Sequence, residues 1–442
     1  MTLDANDADR APIAGPEPIP RDRTASRIAR PARLVAPWLA AILLGVALTR
    51  SVAAPLSVAP TADPSAVPST PAAAVDASVG AAAAATPGPV TGRADARLPL
   101  TREVFGFLPY WKMDATTVAG LRFDLLSTLA LFGVGIRKDG TLNTKAPGYR
   151  AYTGPTAAAI TDRAHAKGVR VVPTFQLFDK GSLATMKGFL GDAAAQTRFT
   201  KAALALIKSR GADGAVLDFE PLPDALTAAF ASFAGDVRRA LHAADPHAHL
   251  TVTLHQAASD AQIDAIAPAV DRIFVMAYDY HWIGSAAAGP VAPLEGPGSD
   301  VTATLLRFVE GAGRAKVILG VPYFGYDWPV AYKGPGATVS TPLKDAGGAW
   351  SIGYAAAVDF LAKHAKVKAE WDPVAASPYF TYRDAKKDTY RQVWYENPRS
   401  LAAKYRLVKE AGVAGAGIWA LGMDRGTDEL WTLLRTTFRK KG

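Results

Sequence analysis

From residue 100 onward, short apolar runs alternate with longer stretches of helical periodicity. The runs Val104–Pro109, Leu125–Val134, Val169–Phe175, Ala215–Phe219, Leu250–Leu254, Arg272–Tyr278, Lys316–Val321 and Gly415–Ala420 predict strands buried on both faces. Helical patterns fall between them at 156–167, 193–210, 224–244, 260–267, 299–311 and 399–411, and a last one at 427–438 closes the chain. Gly168, Gly211 and Gly412 stand where such helices end, as C-terminal caps do. Eight strands alternating with helices over about 340 residues is the count of an α/β (β/α)8 TIM barrel, here residues 100–438. A doubly wound open sheet is the other architecture with this alternation, but no Gly-rich phosphate loop follows the first strand.

One connection breaks the rhythm. About seventy-five residues separate Val321 from Arg399, too many for an unstructured loop. They carry patterns of their own: a helix at 355–364 and a hairpin pairing 378–383 with 390–395 around 385–388. The expectation is a small α+β subdomain, residues 323–396, inserted between strand seven and helix seven, where it walls the C-terminal face of the barrel.

The first hundred residues have a different texture. Residues 1–33 are rich in Pro, Ala, Asp and Arg without apolar periodicity, and read as a disordered cytoplasmic N-terminus. Arg21, Arg23, Arg27, Arg30 and Arg33 precede the uncharged apolar run 34–49, which orients the following chain outward. Residues 34–50 read as a signal anchor in the membrane. A signal peptide cleaved after Val52-Ala53-Ala54 is the alternative, against which Arg50 and Pro55 count. Residues 51–98 are an Ala/Pro-rich linker that holds the barrel away from the membrane.

Composition narrows the chemistry. Hydrophobic residues make up 49% and charged residues 20%, a globular balance. There is no cysteine, so disulfides, a thiol nucleophile and a thiolate metal site are excluded. The net charge of +9 suits an anionic wall, membrane or polymer, while no dense basic and aromatic run argues for nucleic acid. A monomeric catalytic domain is expected.

The candidate chemistry centres on Gly211-Ala-Asp-Gly-Ala-Val-Leu-Asp-Phe-Glu-Pro221. Asp218 and Glu220 sit two residues apart on one strand, so both side chains face one way, with Val216. Two such acids raise one another's pKa when buried, which keeps one protonated for general-acid work. A strand end where both meet solvent is the plainer reading. In a barrel the active site forms at the C-terminal strand ends, and those ends supply Tyr110 and Trp111, His255 and Gln256, Met276 to Trp282, Tyr323 to Tyr326, and Trp419 to Asp424. Carboxylates, Tyr hydroxyls and broad aromatic faces suit sugar rings, and make Tyr110, Trp111, Gln256 and Tyr323 candidate substrate contacts. No metal and no cofactor is expected: no His-Glu-x-x-His motif is present, and His242, His247 and His249 lie away from the strand ends. No Gly-x-Ser-x-Gly elbow occurs either.

Asp213-Gly-Ala-Val-Leu-Asp-Phe-Glu220 resembles the Asp-x-x-Asp-x-Asp-x-Glu signature of family 18 glycoside hydrolases, the chitinase-type enzymes. Met276-Ala-Tyr278-Asp279 is similar to that family's strand-six motif and Leu319 to Gly325 to its strand-seven motif. Trp419 falls where the family has the tryptophan at the floor of the sugar subsite. The likeness covers residues 102–438, and the strand-one and strand-four wording is nearest to the spore and cell-wall branch that acts on peptidoglycan. The resemblance implies a substrate-assisted retaining hydrolase of β-1,4-linked N-acetylglucosamine polymers, chitin or peptidoglycan. It implies Glu220 as the acid, Asp218 as the residue holding the substrate N-acetyl group, Tyr278 as donor to the acetamido carbonyl, and Asp279 and Trp419 as sugar contacts. The alternative is a non-hydrolytic glycan-binding module on the same barrel. Two departures stand out: Val216 occupies the place of the middle acid, which normally exchanges a proton with its neighbour, and 171–177 lacks the Ser-x-Gly-Gly pattern of strand three.

Overall fold

The computed structural model describes residues 100–179, 181–340, 347–425 and 427–440. Eight strands close a parallel barrel: β1 (Glu103–Pro109), β2 (Thr128–Gly135), β3 (Arg170–Phe178), β4 (Gly214–Glu220), β5 (His249–His255), β6 (Arg272–Met276), β7 (Val317–Pro322) and, last in the chain, Gly415–Trp419. That last strand lies between β1 and β7, and all other barrel neighbours follow chain order. Helices α1 (Ala115–Gly120), α2 (Pro147–Thr153), α3 (Pro155–His165), α4 (Ala184–Leu190), α5 (Ala193–Arg210), α6 (Thr227–Ala244), α7 (Asp260–Ile266) and α8 (Val301–Ala312) fall between these strands.

The helix ends follow from local chemistry. The Asp192 carboxylate caps α5, and Ser259 with Gln262 forms a capping box on α7. Gly211 ends α5 at φ 60°, and Gly168 follows α3 at φ 72°, left-handed values that favour glycine. Along β4 the alternation is plain. Phe219 faces outward and packs against Phe189, Phe230 and Phe233 in the helix layer, with centroids 5.0–5.9 Å away. Val216, Asp218 and Glu220 therefore face the barrel axis.

The barrel interior is filled by Phe105, Phe107 and Phe274, with the Phe274 centroid 5.7 Å and 4.9 Å from the other two. Gly320 and Gly417 make room for it. A Cβ at Gly417 would lie 2.1 Å from Phe274 Cε2, and one at Gly320 would lie 2.5 Å from its Cε1. The aromatic plug closes the barrel below the carboxylates.

After β7 the chain turns at Tyr323 into a five-stranded antiparallel sheet: β8 (Phe324–Val330), β9 (Trp350–Gly353), β10 (Glu370–Asp372), β11 (Ser377–Asp384) and β12 (Thr389–Trp394). Its order is β10-β11-β12-β8-β9, and α9 (Tyr354–Lys363) packs Phe360 on Phe380 at 5.3 Å. Inside it Arg391 is fully buried, bonded to Asp327 at 2.8 Å and stacked on Trp350. Helix α10 (Pro398–Ala411), the closing strand, here β13 (Gly415–Trp419), and α11 (Asp428–Phe438) complete the barrel.

Two strand starts differ from the apolar pattern. The strand expected from Leu125 starts at Thr128, because Phe123–Leu125 form a 3-10 turn whose leucine is buried. An apolar run that continues from turn into strand does not mark the join. Strand β8 was hidden in the strand-seven motif, since a single residue separates it from β7. The expectations for 1–33, 34–50 and 51–98 lie outside the described residues. Among the described residues no helix is long and apolar enough to cross a membrane.

Candidate active site

Three carboxyls converge at the C-terminal mouth of the barrel. Asp218, 4% exposed, accepts a hydrogen bond at Oδ1 from the Thr253 hydroxyl on β5. Burial pushes its pKa up to about 6, against the opposing pull of that bond. Glu220 stands well above the usual carboxyl range, first through burial and then through the charges of Asp218 and Asp279. Asp279, just beyond β6, is pushed up to about 7 by burial, opposed by a 2.9 Å bond from the Tyr326 hydroxyl. The Tyr278 phenol is raised by burial and then by all three acids, which sets it in their midst. In such a cluster burial and like charge favour the protonated form of the carboxyls.

One side of the mouth is aromatic. Trp419 packs edge-on against Phe132 at 4.8 Å and against Phe107 at 5.4 Å. Trp111 meets Phe132 at 5.8 Å and Tyr110 at 4.8 Å. Phe178, 40% exposed, continues this wall 6.2 Å from Phe132 and is in register with Glu220 on the adjacent strand.

The structure thus brings together Asp218, Glu220, Tyr278 and Asp279, with Tyr110, Trp111 and Trp419 grouped in the aromatic wall. Gln256 lies in the turn after β5, its carbonyl facing Arg307 at 3.5 Å. Tyr323 is buried, with its hydroxyl 3.1 Å from that of Tyr405 on α10. Its N–H bonds to the Trp419 carbonyl at 2.8 Å as the chain leaves β7, and this turn resets which tyrosine faces inward.

Sequence reasoning passed over Thr253 and Phe178, and gave Tyr326 and His255 no role. A hydroxyl two residues before a strand end and an aromatic at the end of β3 were the available signals. His255 ends β5 on the same face as Thr253. Its Nδ1 accepts the Ala257 N–H at 3.1 Å, so the neutral ring carries its proton on Nε2, and burial pushes its pKa down to about 4. The first motif acid, Asp213, lies at the other end of β4. It accepts Val171 N–H at 2.7 Å and meets His165 Nε2 at 3.0 Å, tying strands together below the site. His242 likewise meets Asp271 at 3.1 Å.

A closed parallel barrel with buried acids and an aromatic wall at its C-terminal mouth defines a carbohydrate-active barrel. Residues 178–424 match glycosyl hydrolases family 18, and the chain belongs to that family. It is 30% identical over 172 residues to the cortical fragment-lytic enzyme of Bacillus subtilis, covering 38% of this chain and 35% of that protein. It is 28% identical over 308 residues to the di-N-acetylchitobiase of Rattus norvegicus, covering 62% and 78%. The chain spans about half the length of the first curated relatives it matches. In fold it is similar to the Bacillus cereus spore cortex-lytic enzyme SleL, with TM-score 0.62 and 24% identity over 77% of this chain and 76% of that one. It is also similar to the Ostrinia furnacalis Group IV chitinase, with TM-score 0.66 and 19% identity over 76% and 99%.

Proposed function

We propose that this protein is a retaining, substrate-assisted glycoside hydrolase that cleaves β-1,4-linked N-acetylglucosamine polymers. The observation that carries the reading is the buried Glu220 carboxyl, its pKa raised by burial and by the neighbouring Asp218 and Asp279, beside Tyr278 at the barrel mouth. A cortical fragment-lytic enzyme and a di-N-acetylchitobiase among the relatives support both peptidoglycan and chitin as substrates.

In this mechanism Glu220 gives its proton to the glycosidic oxygen as the bond from that oxygen to C1 breaks. The acetamido carbonyl oxygen of the substrate closes on C1, forming an oxazolinium. Tyr278 donates to that carbonyl oxygen and orients it. Asp218, ionised, accepts from the acetamido N–H and stabilises the positive charge. Asp279 and the face of Trp419 hold the sugar. Glu220, now a carboxylate, takes a proton from water, which opens the ring at C1 from the original face. Two inversions leave the β configuration.

Proton NMR of the first products from N-acetylglucosamine oligomers is expected to show the β anomer. Oligomers without the N-acetyl group are expected to stay intact, because the substrate supplies the nucleophile. The acid limb of kcat/KM is expected near pH 6, where Asp218 ionises. Initial α product, or cleavage of deacetylated oligomers at the same rate, overturns the substrate-assisted route.

We also propose that the barrel works outside the cytoplasmic membrane, held by residues 34–50. Cell fractionation with and without residues 1–98 tests this. Full-length chain in the membrane fraction and truncated chain in the cytosol is the expected result, and the same fraction for both removes the anchor.

A further inference from the structure

The backbone at Asp279 asks for support. Its φ is 61°, a left-handed value that disfavours a side-chain-bearing residue, so surrounding contacts have to hold it. Among the described residues, the hydrogen bond to its carboxyl comes from Tyr326, outside the barrel. Tyr326 is fully pinned. It lies on β8, in register with Ser351 of β9 on one side and Trp394 of β12 on the other. Its ring packs on Phe324 and Trp328, each at 5.5 Å. At Gly325 the strands come so close that a Cβ would lie 1.9 Å from the Trp394 carbonyl oxygen.

The loop after Asp279 is tied to the same inserted segment. Trp328 Nε1 donates to the Trp282 carbonyl at 3.1 Å. Val339 N–H donates to the Ala286 carbonyl at 2.9 Å, Ala288 N–H to that of Ala337 at 2.9 Å, and Leu294 N–H to that of Ala375 at 2.8 Å. The loop leaving β6 is therefore fastened along its length to the inserted sheet and its connections, and Tyr326 is the bond nearest the acids.

We propose that Tyr326 is a positioning residue of the active site, by which the inserted sheet sets the place and ionisation of the Asp279 carboxyl. The inference deepens the glycosidase reading and rests on it for its consequence in turnover. The groups facing Asp279 are Glu220 and Tyr278 from the barrel and Tyr326 from the sheet. Of these, the Tyr326 hydroxyl is the donor that favours the ionised carboxyl. The sheet thereby acts as more than a wall: its docking assembles the sugar-holding acid beside Glu220.

The test uses the full chain with 13C-labelled aspartate, the Asp279 carboxyl resonance being assigned by its loss in Asp279→Asn. Tyr326→Phe removes one hydroxyl and keeps the ring. It is expected to raise the Asp279 titration midpoint by about one pH unit and the KM for N-acetylglucosamine oligomers about fivefold. Incorporating 3-fluorotyrosine at 326, a more acidic donor of nearly the same shape, is expected to lower the midpoint. This second readout covers the case in which Tyr326→Phe does not fold. An Asp279 midpoint unchanged by either replacement overturns the proposal. Should the wild type hydrolyse nothing while the midpoint moves as stated, the glycosidase reading fails and the positioning role stands.

Discussion

Glu220→Gln is expected to cut kcat on N-acetylglucosamine oligomers by about a thousandfold or more, and to raise thermal stability above neutral pH. The loss follows from the acid's role, since general acid–base catalysis by one positioned group contributes ~10²–10⁴-fold and no neighbour can replace it. Asp218 and Asp279 are engaged by their own partners, Thr253 and Tyr326. The gain follows from linkage. The folded-state pKa of Glu220 lies above its unfolded value of about 4.5. Below that value both states carry the proton and the group is neutral to stability. As pH rises through the window up to the raised pKa, the unfolded state ionises freely while the native state resists, so stability falls. A glutamine removes that penalty. The melting temperatures of variant and wild type are therefore expected to agree near pH 4, and the variant to melt several degrees higher at pH 8. Calorimetry at the two pH values with initial-rate assays at pH 6–7 decides it. Equal rates remove Glu220 from the mechanism, and a lower melting temperature at pH 8 contradicts its burial as an uncompensated acid.

The same residues show what a linear pattern can and cannot carry. The barrel strands were legible because they are buried on both faces and several read as continuous apolar runs, as Ile273–Met276 and Val317–Val321 do. The pairing of Asp218 with Glu220 was legible because strand periodicity alone sets it, and Phe219 between them does pack outward. Tyr326 against Tyr323 was not. They stand three residues apart across a junction where the chain leaves a parallel barrel for an antiparallel sheet, and no local period survives that turn. Thr253 was hidden because a β-branched hydroxyl residue in a strand reads as strand filling, and its partner is 35 residues away. Phe178 was missed because β3 runs three residues beyond the Phe175 at which the apolar pattern was taken to stop. In each case the missing information is long-range: which strand lies beside which, and at what register.

Val216 is the position where register turns a sequence oddity into a measurable effect. It is fully buried on the inward row of β4, one step below Asp218. In register beside it are Thr174 on β3 and Thr251 on β5, and the Thr174 hydroxyl is buried without a partner. A valine thus stands in a socket with polar walls, at a place where the resembling signature has an acid. Val216→Asp puts a carboxyl of smaller volume there, with the Thr174 hydroxyl available as donor and Asp218 as neighbour. The new group's folded pKa is expected well above its unfolded value of about 4, by burial and by the like charge. Its penalty is accordingly absent near pH 4 and grows as pH rises, reaching about 3 kcal/mol at pH 8 if the shift is about two units. Activity is expected to move the other way along the pH axis. Two carboxyls sharing one proton reach their singly ionised state at lower pH than Asp218 does alone, so the acid limb near 6 is expected to shift down. Val216→Thr, isosteric and uncharged, separates polarity from charge and is expected to leave the limb in place. Melting curves at pH 4 and pH 8, with kcat/KM profiles of both variants, read the two effects independently. A limb unmoved in Val216→Asp would mean that Asp218 does not sense the residue below it, and that the inward row of β4 does not act as one electrostatic unit.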